Sequence, residues 1–102
     1  MKWENTMELF IFARFRAREG KEADLAALLQ KQVPFVPTEP GCLMMNAYRS
    51  TRDPRLFFIH SRWVDEAAFE VHAVHPNTVV FIERAEALIE HPLDVTRSRP
   101  LG

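Results

Sequence analysis

The chain has 102 residues, 47% of them apolar, and a net charge of −1. That length fits one domain with a thin core, and the apolar content is too high for a disordered chain. Balanced charge without a Lys/Arg block argues against nucleic-acid and membrane-surface partners, and the single cysteine, Cys42, excludes an internal disulfide.

From Glu8 to Arg18 the residues alternate. Leu9, Ile11, Ala13, Phe15 and Ala17 share one face, and Phe10, Phe12, Arg14 and Arg16 the other, which predicts a first strand. Gly20 breaks it. Leu25, Leu28, Leu29 and Val33 recur at helical spacing and predict a helix over 21–33, with Glu22 and Asp24 favoured near its positive end. Pro34 and Pro37 are expected to stop that helix, and Glu39-Pro40-Gly41 to form a turn. A second strand is predicted over 42–50, with Leu43, Met45 and Ala47 on one face and Met44, Asn46 and Tyr48 on the other. A turn at Thr51-Arg52-Asp53-Pro54 leads into a third strand over 55–63 and makes a hairpin of the two. Asp65 is a good N-cap, with Val64 and Phe69 spaced as a hydrophobic staple, for a helix to about Val74. Pro76 suits the first position of another helix, whose stripe is Phe81, Ile82, Ala85, Leu88 and Ile89 and whose stop is Pro92. Residues 93–98 can add a short fourth strand.

The order βαββαβ predicts one α+β domain of ferredoxin-like type over residues 8–98, with short tails at 1–7 and 99–102. Phe10, Phe12, Met44 and Phe58 make the outer sheet face too apolar for water, so it reads as the interface of a homodimer rimmed by Asn46, His60 and Arg62. No apolar run reaches the roughly 18–20 residues that cross a bilayer, and residues 1–7 carry no hydrophobic signal region. A cytoplasmic protein is the expectation.

With only three glycines, neither G-x-G-x-x-G nor a P-loop can be written, and no phosphate cradle of that kind is expected. Ile11, Ala13, Leu43, Met45, Ala47, Phe57 and Ile59 are candidates for an apolar wall, with Ser61, Trp63 and His72 as polar tips near one end. His72 reads either as a base in that pocket or as a histidine on an exposed helix face. Trp63 reads as a site residue or a core anchor, and Ser61 as a pocket group or a strand-edge hydroxyl. His72 and His75 are three apart, but Pro76 interrupts the helix and no third ligand is near, so no metal is expected. Cys42 enters a strand behind a Pro-Gly turn and reads as an inert packed thiol. RNA-binding modules share the βαββαβ order, but Arg55-Leu56-Phe57-Phe58-Ile59-His60 lacks the glycine of their third strand.

Several residues in order carry a family likeness. They are Ala13-Arg14, Gly20-Lys21-Glu22, Glu39-Pro40-Gly41-Cys42-Leu43, Asp53-Pro54, Trp63, Asp65-Glu66-Ala67, His72, Pro76 and Phe81. Together they resemble the antibiotic biosynthesis monooxygenase (ABM) superfamily over about residues 8–98. The resemblance implies a dimeric α+β barrel with a pocket between sheet and helices. It also implies a quinol-type monooxygenase that oxidises a small aromatic diol or phenol with O2 and no bound cofactor. On that likeness His72 and Trp63 are the catalytic candidates, and Ile11, Ala13, Met45, Ile59, Ser61, Asn77 and Phe81 the substrate-binding ones. Ser61 stands where quinol-oxidising relatives usually carry Glu, and Asn77 near where they carry His. Ala13, His72 and Ile82 replace the Asn, Trp and His of the haem-degrading branch, so haem is not implied. An isomerase or lyase acting on a small oxygenated metabolite, and a non-catalytic dimeric binding module, are the alternatives.

Overall fold

Alternation over the first strand becomes β1 (Leu9–Arg16), with Leu9, Ile11, Ala13 and Phe15 all buried, in a computed structural model that describes residues 7–102. Residues 1–6 of the expected N-terminal tail lie outside the described residues. The chain continues through α1 (Glu22–Phe35), a single 3-10 turn (Val36–Thr38), β2 (Cys42–Arg49), β3 (Leu56–Trp63), α2 (Glu66–Ala73), α3 (Pro76–Leu88) and β4 (Asp94–Ser98). The strands form one antiparallel sheet in the order β2-β3-β1-β4, which is the ferredoxin-like arrangement.

Helices cover one face only. Leu25 and Leu29 of α1, Phe69 of α2 and Ala85 of α3 join Leu9, Ile11, Phe15, Phe57, Ile59 and Trp63 in a single core. Trp63 and Phe15 are the largest fully buried side chains. Each such burial contributes about 1.5–3 kcal/mol, so this thin core depends on few residues.

Two helix ends and one strand register differ from expectation. Pro34 does not stop α1, which runs to Phe35 before tightening into the 3-10 turn that contains Pro37. A proline this close to the end removes one intrahelical bond and leaves the final turn intact. Helix α3 ends at Leu88 rather than near Pro92; Ile89 is extended, fully buried and bridged to Ala17. A bulge between Cys42 and Met44 makes Leu43 an extra residue on β2, and it sits 47% exposed. Leu43 is therefore not part of an inner apolar wall. Cys42 takes the place against the core instead.

At the N-terminus of α2, Asp65 Oδ1 accepts the Ala68 N–H at 2.9 Å, as its cap position requires. Val64 is half exposed and lies beside Gly41, while Phe69 packs edge-on against Trp63. None of the described helices is long and apolar enough to cross a membrane.

Candidate active site

The site lies where β1, β3 and β4 pass beneath α2 and α3. A cavity of about 100 Å³ opens there, and six expected residues line it: Ile11, Ala13, Ile59, Ser61, His72 and Phe81. Phe15, Phe69, Ala73, Thr78, Ile82, Leu93 and Val95 complete it. Val95 lines the cavity while remaining 41% exposed, so the edge strand β4 forms the rim. Among the described residues no Lys, Arg, Asp or Glu lines this cavity, and His72 is its one imidazole.

Three expected residues lie elsewhere. Met45 is buried on β2, the strand at the opposite edge of the sheet, and its partner across the ladder is Ser61. Asn77 donates from Nδ2 to Gln32 Oε1 at 3.2 Å in a separate groove between α1 and α3. One residue further turns the helix by about 100°, and that next residue, Thr78, is the one the cavity uses. Trp63 is fully buried behind the cavity, and its Nε1–H donates to Ser61 Oγ at 3.0 Å. It reaches the site through His72, with ring centroids 4.7 Å apart, and Phe69 closes the aromatic triangle at 5.6 Å from His72.

His72 is held by groups that the sequence did not single out. Its Nδ1 lies 2.8 Å from Glu39 Oε1 and 3.2 Å from Thr78 Oγ1. Nε2 makes no hydrogen bond within the described residues, and it is not among the sealed, unpartnered atoms. Glu39 is only 9% exposed, and its Oε2 has neither solvent nor a partner among the described residues.

Gly41 explains how the carboxylate arrives. Its φ of +83° is the left-handed region that glycine tolerates, and a Cβ there would stand 2.5 Å from Ala68 Cβ. The Glu39-Pro40-Gly41 turn thus lies flush on α2. Ala68 and His72 are four residues apart and share a helix face, so a turn seated on Ala68 carries Glu39 to His72. The turn was legible in the sequence; the helix it would touch was not.

The remaining candidates are structural. His75 Nδ1 accepts the Asn77 N–H at 3.0 Å and caps α3, so it diverges from His72 and is no neutral surface position. Among the described residues no three His, Cys, Asp or Glu side chains group to hold a metal ion. Burial, helped by the Glu39 carboxylate, pushes the Cys42 thiol up, which fits a packed, unreactive sulfur.

A ferredoxin-like sheet with a small apolar cavity under its helices defines a small-molecule-binding α+β domain. More particularly, the chain belongs to the antibiotic biosynthesis monooxygenase family, whose sequence model matches residues 9–90. It is similar to the solved structures of SO0527 from Shewanella oneidensis and PA3566 from Pseudomonas aeruginosa, each 26% identical. The first superposes with a TM-score of 0.87 over 94% of this chain and 93% of that one. The second gives 0.86 over 95% and 97%. A curated relative, the uncharacterized protein sll1783 from Synechocystis sp., is 22% identical over 87 residues, 85% of this chain. The match spans 59% of that relative's length.

Proposed function

We propose that this chain is a cofactor-independent monooxygenase that oxidises a small aromatic diol or phenol with O2. The observation that carries the reading is His72, with Nε2 unengaged, at a mostly apolar cavity that no charged side chain lines among the described residues. Such a cavity admits a neutral ring and O2 while excluding most water. A phenolic hydroxyl passes its proton to His72 Nε2, and the phenolate formed donates electrons to O2 far more readily than the phenol does. One oxygen atom enters the ring and the other leaves as water; every electron that O2 consumes comes from the substrate, so the product is a quinone, and a hydroxyquinone where the substrate is a diol. Trp63 acts by packing against His72, the two rings tilted by 32°, since its N–H is already committed to Ser61.

The same reading takes the working unit as a homodimer joined through the outer sheet face. Phe12 is 51% exposed there and stacks on His60 at 4.5 Å, while Arg62 lies over Phe10 at 4.9 Å. Exposed rings already ordered by neighbours suit burial against a second copy.

Oxygen uptake on adding hydroquinone or catechol to the purified protein tests the proposal. Uptake with formation of a quinone that carries one oxygen atom from O2 supports it. Conversion of a small oxygenated metabolite to an isomer without oxygen uptake would replace it with proton-transfer chemistry at the same histidine.

A further inference from the structure

We infer that Glu39 is the positioning residue of this site. It fixes the His72 proton on Nδ1 and leaves Nε2 as the acceptor, so that the cavity takes a neutral, single-ring hydroxyarene rather than an anion. The inference rests on the reading of His72 as the base.

Glu39 Oε1 lies 2.8 Å from His72 Nδ1, and Oε2 is sealed without a donor. His72 is the one ion-pair partner of Glu39 among the described residues. The stabilisation of this buried carboxylate is therefore concentrated on a single N–H. An ionised carboxylate only accepts hydrogen bonds, so the proton between the two groups belongs to the imidazole. Thr78 Oγ1, at 3.2 Å from the same nitrogen, shares that proton as a second and weaker acceptor. The ring is also fixed in its plane by Trp63 and Phe69.

The charge balance follows. When Nε2 takes a proton, the imidazolium is already beside its counter-ion, as in other carboxylate-oriented histidines. A substrate that arrives as an anion meets the Glu39 carboxylate directly behind His72, while the Arg97 guanidinium over Phe69 is already paired with Glu66 and Glu70. Among the described residues no Lys or Arg lines the cavity to receive it. Size narrows the class further. A dry apolar cavity of about 150 Å³ accommodates benzene, and this one measures about 100 Å³ with an open rim at Val95. With its rim open at Val95, a cavity of this size favours one ring with its substituent at the mouth over fused rings.

Long-range ¹H–¹⁵N spectra of the histidine rings test the assignment without any turnover. Neutral His72, assigned by its loss in His72→Gln, is expected to carry its proton on Nδ1, opposite to the preference of a free side chain. Glu39→Ala is expected to return it to the Nε2–H form. Glu39→Gln keeps a carbonyl acceptor but removes the charge. It should bind benzoate about tenfold more tightly than the wild type, with phenol affinity little changed. A wild type with the proton on Nε2, or a Glu39→Gln variant with an unaltered phenol-to-benzoate preference, overturns the assignment. Should Glu39→Ala fail to fold, the wild-type spectrum and the Glu39→Gln binding ratio decide. A wild type that shows Nδ1–H but consumes no oxygen with any quinol supports the positioning role while removing the oxidation.

Discussion

Trp63 donates its indole N–H to Ser61 Oγ, two residues back on the buried face of β3. Both groups are buried, so the serine hydroxyl acts as the acceptor that allows a tryptophan at this depth. Ser61→Ala should therefore act on stability. It leaves a buried donor unsatisfied, at about 1–3 kcal/mol, which in a domain of this size lowers Tm by roughly 4–8 °C per kcal/mol. Differential scanning calorimetry reads this directly. An unchanged Tm means that the indole finds another acceptor.

Gly41 and Gly20 share a φ of +83° but differ in what surrounds them, which separates backbone strain from contact. Alanine at either position bears the left-handed penalty, roughly 1–2 kcal/mol. Only at Gly41 does the new methyl also meet a neighbour, Ala68 Cβ at 2.5 Å. Overpacking of that kind adds about 1–3 kcal/mol. Urea unfolding should rank Gly41→Ala well below Gly20→Ala. Equal losses would show that the turn lifts off α2 at little cost, and Glu39 would then be loosely held.

Much of the fold was legible because local chemistry and global position agreed. Leu9 to Phe15 and Phe57 to Trp63 alternate strictly, and those residues are the inner faces of β1 and β3. Misplacement began where a single inserted residue or a helix rotation decides a face. Leu43 was lost to a bulge that no composition signals, and Asn77 lies one step of the helix from Thr78. In the site, His72, Ser61 and the β1 wall were found by pattern and family likeness. Glu39 stands out in the sequence as a turn and family-likeness residue but not as a site residue, since its contact with His72 spans 33 positions. Sequence periodicity carries no information about such a distance.

Acid should loosen the end of the sheet away from Trp63. Arg16 on β1 pairs with Asp53 of the hairpin and with Glu90 beyond α3, and Arg55 also pairs with Glu90. The Arg55 backbone N–H, aided by Arg16, holds Asp53 below its ordinary 3.8. The Arg16 guanidinium, aided by Arg55, holds Glu90 below its ordinary 4.5. Carboxylates with lowered folded values add stability above their unfolded values and lose it as pH falls through the folded ones. Thermal stability should thus decline as pH drops below 4.5, and Glu90→Gln should flatten that decline. Glu90 is exposed and Arg16, Asp53 and Arg55 are only half-buried, so the effect is small and salt should weaken it. A slope that Glu90→Gln leaves untouched assigns acid sensitivity to other carboxylates.

The outer sheet face gives a prediction about assembly. Phe12 and Phe58 are exposed on adjacent strands, and Tyr48 faces the same side. An apolar face of this kind on so small a domain suits an isologous dimer. Light scattering at micromolar concentration should give twice the chain mass. Phe12→Asp should give the monomer while its far-ultraviolet circular dichroism is retained. A wild-type monomer would remove the dimer from the proposed function.

The most discriminating test of the chemistry is a substitution of His72 that spares the carboxylate behind it. His72→Ala is a poor choice, because it strands Glu39 in a buried position with no donor, and breaking a buried pair costs about 3–5 kcal/mol. A rate lost in that variant could be a fold lost. His72→Gln has an amide N–H to offer Glu39 and no basic nitrogen to offer a substrate. If His72 takes the phenolic proton, oxygen uptake should fall about 10²–10⁴-fold in His72→Gln. Its Tm should stay close to the parent's. The control must respect the other histidine's work. His75 caps α3 through Nδ1, so His75→Ser, which keeps an acceptor at the cap, should oxidise quinols at the parental rate. Parental rates in both variants would show that the proton leaves without His72, by a substrate-assisted route or to solvent at the rim by Val95.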